Sequence, residues 1–292
     1  MDPLPQYGTY TFLPYHPTTA SPPAPLFKIT HTSTWTYCGP LLSPLDLPRS
    51  LHTWSTATVS SPPALLQRLL PFLMFLHGFL GKAGVQHYWL TLRATTPTKE
   101  YDVPRWHVDD AFFSPLSSRP VSEAEGTKSL KTRGGKQRAR AGWKLCTTLL
   151  GPSTLFLREV ENDTALAKLR ETKKKESAKH EHVCSSIRCV GCFDTGEAVR
   201  ASLAIALADE ETVYARYGEV AFFRVGVEEG AVHSEPKCDV DRVFVNVVPG
   251  TEEDLRKLMK RFGMGFPRSW SLGLPATVGA EKREERSEGQ TP

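Results

Sequence analysis

Apolar and polar positions alternate at period two through several stretches of the chain. His87-Tyr88-Trp89-Leu90-Thr91-Leu92-Arg93-Ala94-Thr95 alternates in part and predicts a strand. Glu219-Val220-Ala221-Phe222-Phe223-Arg224-Val225 and Arg242-Val243-Phe244-Val245-Asn246-Val247-Val248 are rich in aromatic and β-branched residues and read as further strands. A strand pair is expected over 143–150 and 154–160, joined by Gly151-Pro152-Ser153. Two stretches carry helical signals instead. Ser61-Pro62-Pro63 before Ala64-Leu65-Leu66 predicts a capped helix start, with Pro71 kinking or restarting the helix and an end near Gly78 or Gly81. Residues 251–262 predict a helix with Thr251 as N-cap, acids in its first turn and bases in its last. Residues 199–207 fit a helix by their alanines and a strand by their place in the chain, and stay open.

Segments without such periodicity divide the rest. Residues 1–60 form a Pro/Ser/Thr-rich arm, with short strands expected around Tyr10-Thr11-Phe12-Leu13 and Thr34-Trp35-Thr36-Tyr37 and with Trp35 and Trp54 to anchor it. Residues 61–262 form the main domain. Two low-complexity insertions interrupt it, at 114–142, with a basic run over 128–140, and at 163–195, whose charged stretch 168–181 reads as a solvated helix or loop. Residues 263–292 form a C-terminal tail, expected to be largely disordered and highly charged from Ala280 on.

Composition narrows the function classes. A chain of 292 residues, 40% hydrophobic and 23% charged, suits one sizeable domain with appendages. A net charge of +4 is too mild to demand a polyanionic partner. The basic run lacks aromatic residues for base stacking, so a solvated loop is favoured over a nucleic-acid patch. Six irregularly spaced cysteines and the start Met1-Asp2-Pro3 fit reduced thiols in an intracellular protein, cytoplasmic or nuclear. The apolar run 65–80 contains Gln67, Arg68, Pro71 and His77 and falls short of the ~20 residues a bilayer needs, so a core helix and no membrane partner are expected.

The candidate chemistry sits in Arg105-Trp106-His107-Val108-Asp109-Asp110. On a strand, His107 and Asp109 share a face and Asp110 points the other way. An imidazole beside a carboxylate is two thirds of a 2-His-1-carboxylate facial triad, the set that holds Fe(II) with open positions. His233, after the strand ending at Val225, is the candidate third ligand, and Arg242 heads the next strand. Taken alone, a His-x-Asp is more often a strand-edge histidine beside a solvated acid, and a strand arginine is usually a surface cation. A Cys-x-x-Cys at Cys189 and Cys192, with Cys184, His180 and His182 nearby, offers a zinc site, but ordinary reduced cysteines are the simpler reading. Trp106 and Trp143 read as core.

The ordered set of His107-x-Asp109, His233 and Arg242 nine positions later resembles the Fe(II)/2-oxoglutarate-dependent dioxygenases. Gly218-Glu219-Val220-Ala221-Phe222-Phe223 resembles that superfamily's strand leading to the distal histidine, and 145–157 resembles its strand–turn–strand. The same blocks resemble an uncharacterised microbial family of unknown function. The likeness covers roughly 62–250. It implies a mainly β protein with flanking helices (α+β), folded as a double-stranded β-helix, or jelly roll. It implies His107, Asp109 and His233 as metal ligands, Arg242 as the clamp on the distal carboxylate of 2-oxoglutarate, and Thr147 or Thr154 as an added hydroxyl. The co-substrate would be oxidatively decarboxylated while a hydrogen is removed from a bound substrate of unknown identity. His107 and His233 lie 126 positions apart, a long gap for this pattern, which discounting the two insertions shortens to roughly 70. A non-catalytic jelly-roll binding or scaffold protein with a vestigial metal site is the alternative.

Overall fold

The structure, a computed structural model, describes residues 4–19, 27–110, 113, 142–179 and 189–275. Among the described residues ten strands and five helices follow in the order β1 (Tyr10–Thr19), β2 (Ser33–Pro40), α1 (Arg49–Thr58), α2 (Pro62–Lys82), β3 (His87–Thr95), β4 (Gly142–Leu150), β5 (Leu155–Leu157), α3 (Glu159–Ser177), α4 (Val190–Ala206), β6 (Thr212–Tyr214), β7 (Tyr217–Val225), β8 (His233–Ser234), β9 (Arg242–Gly250), α5 (Glu252–Arg261) and β10 (Arg268–Leu272). The fold is mainly antiparallel sheet with helices outside. A seven-stranded sheet has the order β1-β7-β4-β9-β3-β2-β10, and a three-stranded sheet the order β6-β5-β8.

Period-two alternation decides what each face of the large sheet meets. Leu90 and Leu92 of β3, Leu145 and Leu149 of β4, Phe222 of β7 and Val243, Val245 and Val247 of β9 turn to one face. There they bury Leu65, Leu69, Phe72, Leu73, Leu76 and Leu80 of α2 and Leu51 and Trp54 of α1. The i, i+3/i+4 spacing of these α2 residues gives the helix one continuous apolar stripe. By length and composition alone α2 is apolar enough to cross a bilayer, but that stripe is packed on the sheet. Pro71 sits inside α2 without ending it. Trp143 stacks on Phe222 with centroids 4.3 Å apart.

The opposite face of the large sheet meets the small sheet through Phe156 of β5, which packs on Tyr10, Phe12 and Phe223. The small sheet is covered in turn by α3 and α4, where Leu157, Trp106, Val108 and Val232 bury Ala165, Leu166, Leu169, Val199 and Leu203. Layers therefore run helix, sheet, sheet, helix. Helix α5 closes one end. Thr251 caps it by accepting a 3.1 Å hydrogen bond from Asp254 N, and Leu255 and Met259 pack against Trp89 and Trp270.

Several sequence expectations change here. The N-terminal arm is built into the fold: β1 and β2 join the large sheet, and Trp35 and Trp54 are fully buried. The stretch 163–195, read as a low-complexity insertion, holds most of α3 and the start of α4. Its apolar residues are few, but those at 165, 166 and 169 fall on one helical face and reach the core. Residues 199–207 resolve as helix over most of their length. The tail assigned to 263–292 contributes β10, which pairs with β2 from Arg268↔Cys38 to Leu272↔Thr34. The expected strand 154–160 is shorter, ending at Leu157. The basic run 128–140, His180, His182, Cys184 and the tail from Ala280 lie outside the described residues.

Candidate metal centre

The segment carrying His107 reaches the open edge of β8. His107 and His233 form an antiparallel bridge, with His107 N donating to His233 O at 2.9 Å and His233 N to His107 O at 3.0 Å. Directly paired residues put their side chains on one face, and the two rings lie 4.3 Å apart. Asp109, two positions on, must join them. Gly226 N donates to Asp109 O at 2.7 Å and pins that end of the segment. The ligand atoms of His107, Asp109 and His233 all lie within 4.8 Å of one another. His107 Nε2 is 3.8 Å from Asp109 Oδ1, and His233 Nε2 is 3.5 Å from Asp109 Oδ2. Asp110 is exposed.

Backbone carbonyls orient both imidazoles. His107 Nδ1 lies 2.8 Å from Arg105 O, and His233 Nδ1 lies 2.9 Å from Ala231 O. A carbonyl only accepts, so each Nδ1 carries the hydrogen and each Nε2 keeps a lone pair facing the shared point. The loop before His233 is tied to α3, where the buried Asn162 accepts from Val232 N at 2.8 Å and donates to Gly230 O at 3.2 Å. A side chain at Gly230 would collide with Val108 and Gly226 O, so this close crossing requires glycine.

Electrostatics favour the ligating forms. Burial pushes the His233 imidazole down to about 4, and the neighbouring His107 adds to the effect against the pull of Asp109. Burial works to raise the Asp109 carboxyl, but His233, Lys144 and His107 outweigh it and hold the group below its usual range. Lys144 Nζ donates to Asp109 Oδ2 at 2.6 Å. A neutral imidazole and an ionised carboxylate are what a divalent cation needs.

These groups open into a cavity of about 180 Å³ lined also by Arg93, Cys146, Thr154, Glu235, Arg242 and Asn246. Arg242 is 3% exposed. Its Nε donates to Pro152 O at 2.9 Å, its Nη2 lies 3.4 Å from Thr154 Oγ1, and its guanidinium stacks 4.6 Å from the Phe244 centroid. Gly151, at φ +82°, brings this turn against β9, where a Cβ would meet Asp241 O at 2.4 Å. Among the described residues Arg242 has no ion-pair partner. A buried guanidinium is costly unless an anion meets it, and Glu235, on the wall of the same cavity, acts on Arg242 only at longer range than an ion pair.

The structure thus brings His107, Asp109, His233, Arg242 and Thr154 to one cavity and leaves Thr147 out. Thr147 shares the helix-facing side of β4 with Leu145 and Leu149, and its hydroxyl donates to Glu219 O at 2.8 Å. Trp106 and Trp143 are core residues. Lys144, Cys146 and Glu235 are cavity residues that the sequence reading missed. Lys144 carried a signal: a lysine alternating with Trp143 and Leu145 in an otherwise buried strand. Among the described residues His107, Asp109 and His233 are the one group able to hold a metal ion; the other candidate ligands beside Cys189 and Cys192, namely His180, His182 and Cys184, lie outside the described residues. No family model matches the chain, and neither does any curated protein or solved structure.

Proposed function

We propose that this protein is an Fe(II)/2-oxoglutarate-dependent oxygenase on a double-stranded β-helix. The observation that carries the reading is the pairing, in one cavity, of a convergent His107–Asp109–His233 set with a buried Arg242 that makes no ion pair among the described residues. The strand order supports the fold. Core strands β7-β4-β9-β3 lie adjacent in one sheet, β6-β5-β8 and the His107 segment in the other, and the chain passes repeatedly between the two. Such interleaving is how a jelly roll closes.

Two imidazoles and one carboxylate would hold Fe(II) and leave room for a bidentate 2-oxoacid and O₂. Bound there, iron, 2-oxoglutarate and O₂ supply the oxidising chemistry. The chain's part is to bind and orient. His107 and His233 present Nε2, and their tautomers are set by Arg105 O and Ala231 O. Arg242 takes the far carboxylate of the co-substrate, where a planar guanidinium suits two parallel hydrogen bonds, with Thr154 beside it. Phe223 and Phe244 add apolar surface to the cavity wall, and Phe156 backs the His233 ring. The primary substrate is unassigned.

The test is succinate release from 2-oxoglutarate by purified protein with Fe(II) and O₂, and its loss in His107→Ala and Asp109→Ala. Turnover unchanged in both variants ends the proposal. One observation favours a second reading, a non-catalytic jelly-roll binding protein: the Lys144 ammonium already neutralises Asp109. Failure of the protein to take up Fe(II), Mn(II) or Ni(II) would select that reading.

A further inference from the structure

Each candidate ligand has a second contact that fixes its orientation. For His107 it is Arg105 O, for His233 it is Ala231 O, and for Asp109 it is the Lys144 ammonium. The first two lock rings about a soft terminal torsion. The carboxylate has the same freedom and one choice the rings lack, because it can bind a cation through one oxygen or through both.

Lys144 engages one of those two oxygens. It sits on the cavity face of β4, its side chain is 12% exposed, and its Nζ lies 2.6 Å from Asp109 Oδ2. Both oxygens lie near an imidazole, Oδ1 3.8 Å from His107 Nε2 and Oδ2 3.5 Å from His233 Nε2, but only Oδ2 also carries the ammonium. An ammonium only donates, so the oxygen it engages has less electron density to offer an ion, while Oδ1 stays available. An octahedral ion held by two imidazoles and a one-oxygen carboxylate keeps three positions open; a two-oxygen carboxylate would close one of them. The open positions are those a two-point co-substrate and O₂ must share.

The geometry points to Lys144 as the positioning residue that confines Asp109 to one-oxygen coordination and so preserves the third open position. This inference rests on the metal reading of the site. Arg242 and Thr154 line the anion end of the cavity, whereas Lys144 engages the Asp109 carboxylate.

The test counts water ligands on the Mn(II)-loaded protein from the broadening of its electron paramagnetic resonance lines in isotopically enriched water. The wild type and Lys144→Arg, which keeps a donor at Oδ2, are expected to show three waters. Lys144→Met, which keeps the apolar stem and removes the donor, is expected to show two. Three waters in Lys144→Met overturns the positioning role while leaving the metal site standing. A wild type that takes up no Mn(II) overturns the metal reading itself, and the role of Lys144 with it.

Discussion

The two faces of the seven-stranded sheet are made by the same strands and do opposite work. On β4, Trp143, Leu145 and Leu149 meet α2 in a dry core, while Lys144 and Cys146 line the cavity. On β9, Val243, Val245 and Val247 are fully buried on the helix side, while Arg242, Phe244 and Asn246 face the candidate site. One step along either strand exchanges a packing role for a binding role. The helix face gains stability from burial. The cavity face gives some of it up: it buries the Arg242 guanidinium with no ion pair among the described residues and leaves Asn246 Oδ1 without a hydrogen bond there, whereas on the helix face the comparable loss is at Trp143 Nε1.

The comparison breaks most visibly on the helix side. Phe72→Ala empties a fully buried site in α2 and should cost about 3–5 kcal/mol of unfolding free energy in a denaturant titration. Metal uptake by the fraction that stays folded should be unchanged. On the cavity side the pattern reverses. Arg242→Met keeps volume and removes a buried charge along with its hydrogen bond to Pro152 O, so unfolding free energy should change little, while affinity for 2-oxoglutarate falls by about 2–5 kcal/mol by calorimetry. A variant that loses stability and keeps its affinity would place Arg242 with the structural residues.

The acid limb of stability separates the faces as well. His233 has a folded pKa of about 4 against an ordinary 6.5, so the unfolded chain takes the proton first. Its contribution is complete above pH 6.5 and is lost as pH falls toward 4, at about 1.4 kcal/mol per pH unit. Asp109, whose pKa is lowered, loses its contribution at still lower pH, so both act in the same direction. In metal-free protein, His233→Gln should flatten this limb, measured as melting temperature against pH. The smallest effect belongs to Thr147→Val, which removes the hydrogen bond to Glu219 O and the 3.4 Å one with Tyr15 Oη and should cost about 1–2 kcal/mol of stability with no change in 2-oxoglutarate affinity.

Much of this contrast was legible in the residues. β3 falls on the expected 87–95, and β7 and β9 follow their aromatic and β-branched runs. The α2 start at Pro62 was readable from its prolines, although Ser61 makes no side-chain cap bond, and the Thr251 cap was readable from local chemistry. The site pattern His107, Asp109, His233 and Arg242 was readable because residue type, spacing and strand context agreed. Thr147 was misplaced by chemistry overriding parity: a hydroxyl near the right strand was favoured although Trp143, Leu145 and Leu149 already marked its face as core. α3 was hidden by its polarity. Its burial depends on three apolar residues and on Asn162, whose partners at Gly230 and Val232 lie about seventy positions away. The pairings of β1 with β7 and β10 with β2 are long-range, and neither leaves a local trace.

The central claim is that His107, Asp109 and His233 hold one divalent ion between them. Equilibrium dialysis against Fe(II) under argon tests it most directly, comparing wild type with His107→Ala, Asp109→Ala and His233→Ala. One ion per chain in the wild type and loss of binding in each variant is the predicted result. An ion retained at wild-type affinity in all three variants, or no ion in the wild type, would contradict it.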